Sequence, residues 1–131
     1  MKLNVPAYVA ALALPILCGP AQAHHSFAMF DRSKTDTVAG TVKEFDLINP
    51  HGWLQVLVPD AQGKPREWAF ETGGPGQMAR AGFQAATLNP GDHVTVSLHP
   101  LKDGSYGGQL VSVTLANGQT LRAGGPRFGG Q

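Results

Sequence analysis

The stretch REWAFETGGPGQMARAGFQAATLNPGDHVTVSLH, residues 66–99, decides the fold. Its two ends alternate as half-buried strands do, with Trp68 and Phe70 on one face of the first and the valines of HVTVSLH on one face of the last. Between them Gly73-Gly74-Pro75-Gly76 stops the first strand. The only helix the chain predicts follows, roughly Pro75 to Ala81, with Pro in its first turn and Gly82 at its end. Asn89-Pro90-Gly91-Asp92 then turns the chain into the next strand.

Outward from this strand–helix–strand unit the pattern is strands and turns. Val38–Ile48 and Trp53–Asp60 precede it, separated by Asn49-Pro50-His51-Gly52, where Pro50 lacks a backbone donor. Asp60-Ala61-Gln62-Gly63 reads as a hairpin turn into Arg66–Thr72. After the unit come Gly108–Ala116, an Asn117-Gly118 hairpin signal and a short final QTLR strand. Five main strands with one helix between the third and fourth is the element order of an OB-type barrel. The expected class is therefore all-β, mainly strand with one short helix. A β-sandwich of the same strand count is the competing architecture. Barrel closure needs the long first strand to bend, and Gly40 or the Asn49-Pro50 break could provide the bend.

The first 23 residues read as a secretory signal peptide. Lys2 gives a short positive region, Val5 to Leu17 is apolar, and Ala21-Gln22-Ala23 places small residues before the cut. The apolar run is too short to span a bilayer core, which takes about 20 helical residues. Cys18 follows Ile16-Leu17 and fits a lipid-attachment site poorly. The expectation is a periplasmic protein that starts at His24. Residues 24–37 form a polar lead-in, 38–122 the β domain, and 123–131 a Gly- and Pro-rich tail expected to be mobile.

Cleavage after Ala23 would remove the single cysteine, leaving no disulfide, and would also remove Lys2. The ten Lys and Arg then fall to nine, against nine Asp and Glu. A neutral domain has no basic excess to follow a phosphate backbone and no polybasic run to hold an anionic bilayer. Nucleic-acid binding and stable membrane insertion are thus not expected. Trp53, Trp68, Phe70, Phe45 and Tyr106 are expected mostly to fill the barrel.

The order of short motifs resembles a known family. HHSF (24–27), FD (30–31), GTV (40–42), NPH (49–51) with Trp53 two residues on, WAFE (68–71), PGD (90–92) and HPLKDG (99–104) are similar to a bacterial exported family of unknown function, numbered 6152. The resemblance covers nearly all of the chain after residue 23. It implies a periplasmic OB-like domain with no assigned activity. Phe83 departs from the pattern, which has Trp there.

All five histidines lie beyond the cut. With His24 as first residue, its α-amine and its imidazole Nδ1 could chelate one ion, and another imidazole could complete a T-shaped nitrogen set. Such donors suit Cu(II), and both shed their protons near neutral pH. The candidate metal ligands are His24, His25, His51 and His99, the last two each beside a turn and a Pro; copper is the one cofactor considered. His93 begins an alternating strand and is expected at the surface. Glu71 is the carboxylate to watch, although a solvated strand carboxylate is its plain reading. Ser26 lacks a nucleophile elbow, and Gly73-Gly74-Pro75-Gly76 lacks the phosphate-loop pattern, so no catalytic residue is named. Two readings stay open: a non-catalytic module binding a protein or small ligand, and a copper-binding protein.

Overall fold

The structure is a computed structural model that describes residues 29–124. Its elements are β1 (Asp36–Asp46), β2 (Trp53–Pro59), β3 (Pro65–Glu71), α1 (Pro75–Arg80), β4 (His93–Pro100), β5 (Gly107–Leu115) and β6 (Thr120–Arg122). The strands pair in the order β3-β2-β1-β4-β5-β6, and β3 also pairs with β5. That last pairing is parallel and joins Ala69 to Gly107, Phe70 to Gly108 and Glu71 to Gln109. It closes strands β1 to β5 into a five-stranded barrel, with β6 hydrogen-bonded outside the closure. This is the OB-type arrangement expected from the element order, and the sandwich is excluded.

Closure rests on β1, which serves two partners. Asp36 to Thr41 pair with β4, and Thr41 to Asp46 pair with β2. The register shifts between Val42 and Glu44, so the strand bends at a bulge around Lys43. A Cβ on Gly40 would meet the Leu57 carbonyl oxygen and lie 2.8 Å from Val56 Cγ1. Gly40 thus supplies the close approach, the bulge supplies the bend, and the Asn49–Pro50 peptide, which is cis, lies in the loop beyond.

The core follows the alternation. Leu54 and Val56 of β2, Phe70 of β3, Val94, Val96 and Leu98 of β4, and Leu110 and Val113 of β5 are buried. Met78 of α1, with Phe83 and Leu88 after it, belongs to the same cluster. Each such side chain removed from water contributes about 1.5–3 kcal/mol. α1 has six residues and no side-chain cap, so its stability comes from packing rather than propensity.

Two aromatics differ from expectation. Tyr106 is 50% exposed and Trp53 38%. Trp68 shares the inward face of β3 with Phe70, but its ring meets Tyr106 outside the core, with centroids 5.4 Å apart. The Arg66 guanidinium lies 4.6 Å above the Tyr106 ring, a cation–π contact. Upstream of β1, Phe30 is buried and bridges Leu101, so part of the polar lead-in packs on the barrel. Ala123 is buried as well.

Candidate functional site: a histidine cleft on the barrel wall

Strand register places distant residues in one row. Trp53 pairs with Glu71, Glu71 with Gln109, and Gln109 with His99. Side chains alternate along a strand, so this row crosses β2, β3, β5 and β4 on the outer wall. Over it lies a cleft of about 430 Å³ whose walls include His51, Glu71, His99 and Gln109. Arg32, Gln77 and Arg122 also face it.

His51 enters from the β1–β2 loop. Its neighbour Gly52 donates its N–H to the Gly73 carbonyl (3.2 Å) and accepts from the Thr72 N–H (2.9 Å), which clamps the loop to the end of β3. A Cβ on Gly52 would crowd the Asp46 carbonyl and Thr72 Oγ1, within about 2.6 Å of the latter. His51 Nδ1 then lies 3.2 Å from the Thr72 carbonyl oxygen and 3.2 Å from Glu71 Oε1. Both partners only accept when the carboxyl is ionised, so Nδ1 carries a proton.

His99 is set in the same way from the other side. Lead-in residues run beside β4, because Asp31 donates its N–H to the Pro100 carbonyl and Lys102 to that of Met29. This brings the Lys34 carbonyl to 2.6 Å from His99 Nδ1. A carbonyl cannot donate, so His99 is also the Nδ1–H tautomer, with its lone pair on Nε2. The turn itself is held by Asp31, whose carboxylate accepts from the Ser33 hydroxyl and amide. The Ser33 hydroxyl, first among several hydrogen bonds, holds the Asp31 pKa below its ordinary 3.8. Arg32, next in the turn, donates from Nε to Gln109 Oε1 at 3.0 Å.

Glu71 is not the solvated carboxylate that its strand position suggests. Its side chain is only 10% exposed, against 47% for Glu67 on the same face of β3. The difference is tertiary: Glu71 lies under the clamped His51 loop, whereas Glu67 pairs openly with Lys43 at 2.7 Å.

Of the candidate ligands, His51 and His99 come together in this cleft, while His24 and His25 lie outside the described residues. His93 is elsewhere, 3.3 Å from Thr41 Oγ1 and exposed. Among the described residues no group of three or more His, Cys, Asp or Glu is placed to hold a metal ion. Arg32, Gln109, Gln77 and Arg122 were not legible as cleft residues, because their shared wall exists only once β3 and β5 pair. No helix among the described residues is long and apolar enough to cross a membrane.

Fold and site together define a small closed β-barrel of OB type with a histidine-bearing cleft on its wall. Residues 13–111 match the family of unknown function DUF6152, and the chain belongs to that family. No curated protein and no solved structure matches it.

Proposed function

We propose that this protein is an exported, periplasmic binding module, and that the cleft beside His51 and His99 is its ligand site for a copper ion. One observation carries the reading. Two imidazoles far apart in sequence, His51 from the β1–β2 loop and His99 from the end of β4, line one cleft, and each donates its Nδ1–H to a main-chain carbonyl. Histidines that bind a metal through Nε2 are typically held by such a bond at the other nitrogen. The cleft offers two imidazoles and so needs a further ligand. After cleavage at Ala23, His24 would supply an amine and an imidazole. Met29 lies five residue steps after it, a span of at most about 17–18 Å, and Met29 is anchored beside β4 through the Lys102 N–H.

The test uses the exported form, with its first residue checked by mass spectrometry. Cu(II) titration should give a single site tighter than micromolar. Affinity should fall at least tenfold when Met precedes His24, and also when either His51 or His99, whichever closes the set, is replaced by Ala. A chain that stays uncleaved in the cytoplasm defeats the export reading. Micromolar or weaker binding in a chain that begins at His24 defeats the copper reading.

A further inference from the structure

We infer that the cleft takes a second kind of ligand, a free α-amino acid with an apolar side chain, its ammonium on Glu71 and its carboxylate on Arg122. Such a site goes beyond the copper reading and needs no metal. A single ion fills a small part of the 430 Å³, a volume in the range of pockets that enclose small organic molecules.

The cleft exists because two strands stop short of each other on one edge of β5. β4 occupies the other edge. β3 runs parallel to β5 and pairs last at Glu71 with Gln109. β6 comes antiparallel from the opposite direction, with Arg122 opposite Ser112 and the Ala123 N–H on the Val111 carbonyl. Leu110 pairs with Leu98 and Ser112 with Ser97, so Val111 is an extra residue in β5. Such a bulge breaks the alternation of side chains. Gln109 and Ser112 therefore both face the outer wall, while Leu110 and Val113 are buried in the core. Glu71 and Arg122, their neighbours across the strands, face the same wall and line the two ends of the gap. Three strand residues set their backbones roughly 10 Å apart.

The protein does not pair these two charges with each other. Glu71 has a side chain 10% exposed, and its one ion-pair contact among the described residues is His51 Nδ1. Arg122 has no ion pair among them. Arg32, held by Gln109 at 3.0 Å, adds a second positive charge to the cleft. A carboxylate withdrawn from water needs compensating charge or hydrogen bonds, and one imidazole N–H is a single bond. A simple anion in the cleft would meet the charge of Glu71, and a simple cation would meet two arginines. A zwitterion satisfies both ends. The ammonium of an amino acid brings donors to Glu71, and its carboxylate accepts paired N–H bonds from a guanidinium. Leu110, Val111 and Ala123 line the space between and suit an apolar side chain.

L-Leucine is the probe, titrated by calorimetry into the metal-free form that begins at His24. Two analogues each lack one charge: N-acetyl-L-leucine has no ammonium, and L-leucinamide has no carboxylate. Leucine should bind with a Kd below about 1 mM, and each analogue roughly tenfold or more weakly. Glu71→Gln should remove the preference over N-acetyl-leucine and keep the preference over leucinamide, and Arg122→Gln should do the reverse. Glu67→Gln, exposed on the same face of β3, should change neither. In the parent protein, leucine should shift the amide NMR signals of Gln109, Val111 and Ala123, which locates the ligand without any substitution. Absence of saturable leucine binding, equal binding of the analogues, or shifts confined to residues away from the gap would overturn the amino-acid site. With no metal in the sample, those failures are separate from failure of the copper reading.

Discussion

At Gly107 the chain passes from the β4–β5 turn into the strand that closes the barrel. Its φ of +146° is closed to most side chains, and a Cβ there would strike the Ala69 carbonyl that faces it across the parallel pairing. Gly63 also has a positive φ, +79°, but a Cβ there would meet open space. Gly63→Ala should therefore cost only the left-handed strain, about 1–2 kcal/mol. Gly107→Ala adds a backbone collision and should cost more than that. Urea unfolding of the two variants measures the difference, and equal losses would mean that β3 and β5 are not tightly paired. A second residue-scale effect concerns Asp31. Its folded pKa is lowered, chiefly by the Ser33 hydroxyl. The group therefore favours the folded state above its ordinary pKa, and that contribution fades as pH falls through and below about 3.8. Ser33→Ala should raise the Asp31 pKa in an NMR titration and leave stability at pH 7 nearly unchanged, because the group is exposed. The Asp31-x-Ser33 turn is a local signal, whereas the demand on Gly107 is set by Ala69 across the closure and is not local. The burial of Glu71 is not local either, because nothing within β3 separates it from Glu67.

Among the elements, the helix shows how far local propensity reaches. Pro75 at its start and Gly82 after its end bound it in the sequence, yet six residues cannot hold a helix in isolation. What holds α1 is Met78, fully buried with Phe83 and Leu88 against the barrel residues. Met78→Ala should destabilise the protein by about 2–5 kcal/mol, read as a lower urea midpoint. The exposed Lys43–Glu67 pair on β1 and β3 should contribute under about 1 kcal/mol, so Lys43→Ala provides the contrast. If the two variants lose the same stability, α1 is a surface helix rather than a cap on the core. The strands were legible for the opposite reason: period-two alternation in HVTVSLH and REWAFET records directly which face is buried. The bend in β1 was half legible. The need for a bend was read, but Gly40 and the Asn49-Pro50 break were the sites offered for it, whereas the bend is the bulge at Lys43, which has no residue signature of its own.

For the molecule as a whole, the proposed site ties ligand binding to folding. His51 comes from the β1–β2 loop and His99 from the end of β4, and only the closed barrel brings them into one cleft. Copper bound there should stabilise the folded state by about 2.7 kcal/mol at a free concentration one hundred times Kd. That gain should appear as a raised unfolding midpoint in the chain that begins at His24 and vanish when both His51 and His99 are Ala. A gain that survives in the double variant would place the metal elsewhere, with His24 and His25 as the remaining candidates of the proposed set.

The sequence by itself determined the class of fold, the position of each strand and the helix, and the family, because alternation, turn residues and motif order are local and survive without neighbours. It also carried the expectation of export, which rests on residues 1–23. Only the tertiary structure decided that His51 and His99 share a cleft, that His93 stands apart, and that Glu71 is buried beneath His51. Those relations depend on which strand pairs with which, and in what register. The parallel closure of β3 on β5 sets Glu71 beside Gln109 and, one strand further, His99. A pairing between residues 38 apart leaves no periodic trace in either strand.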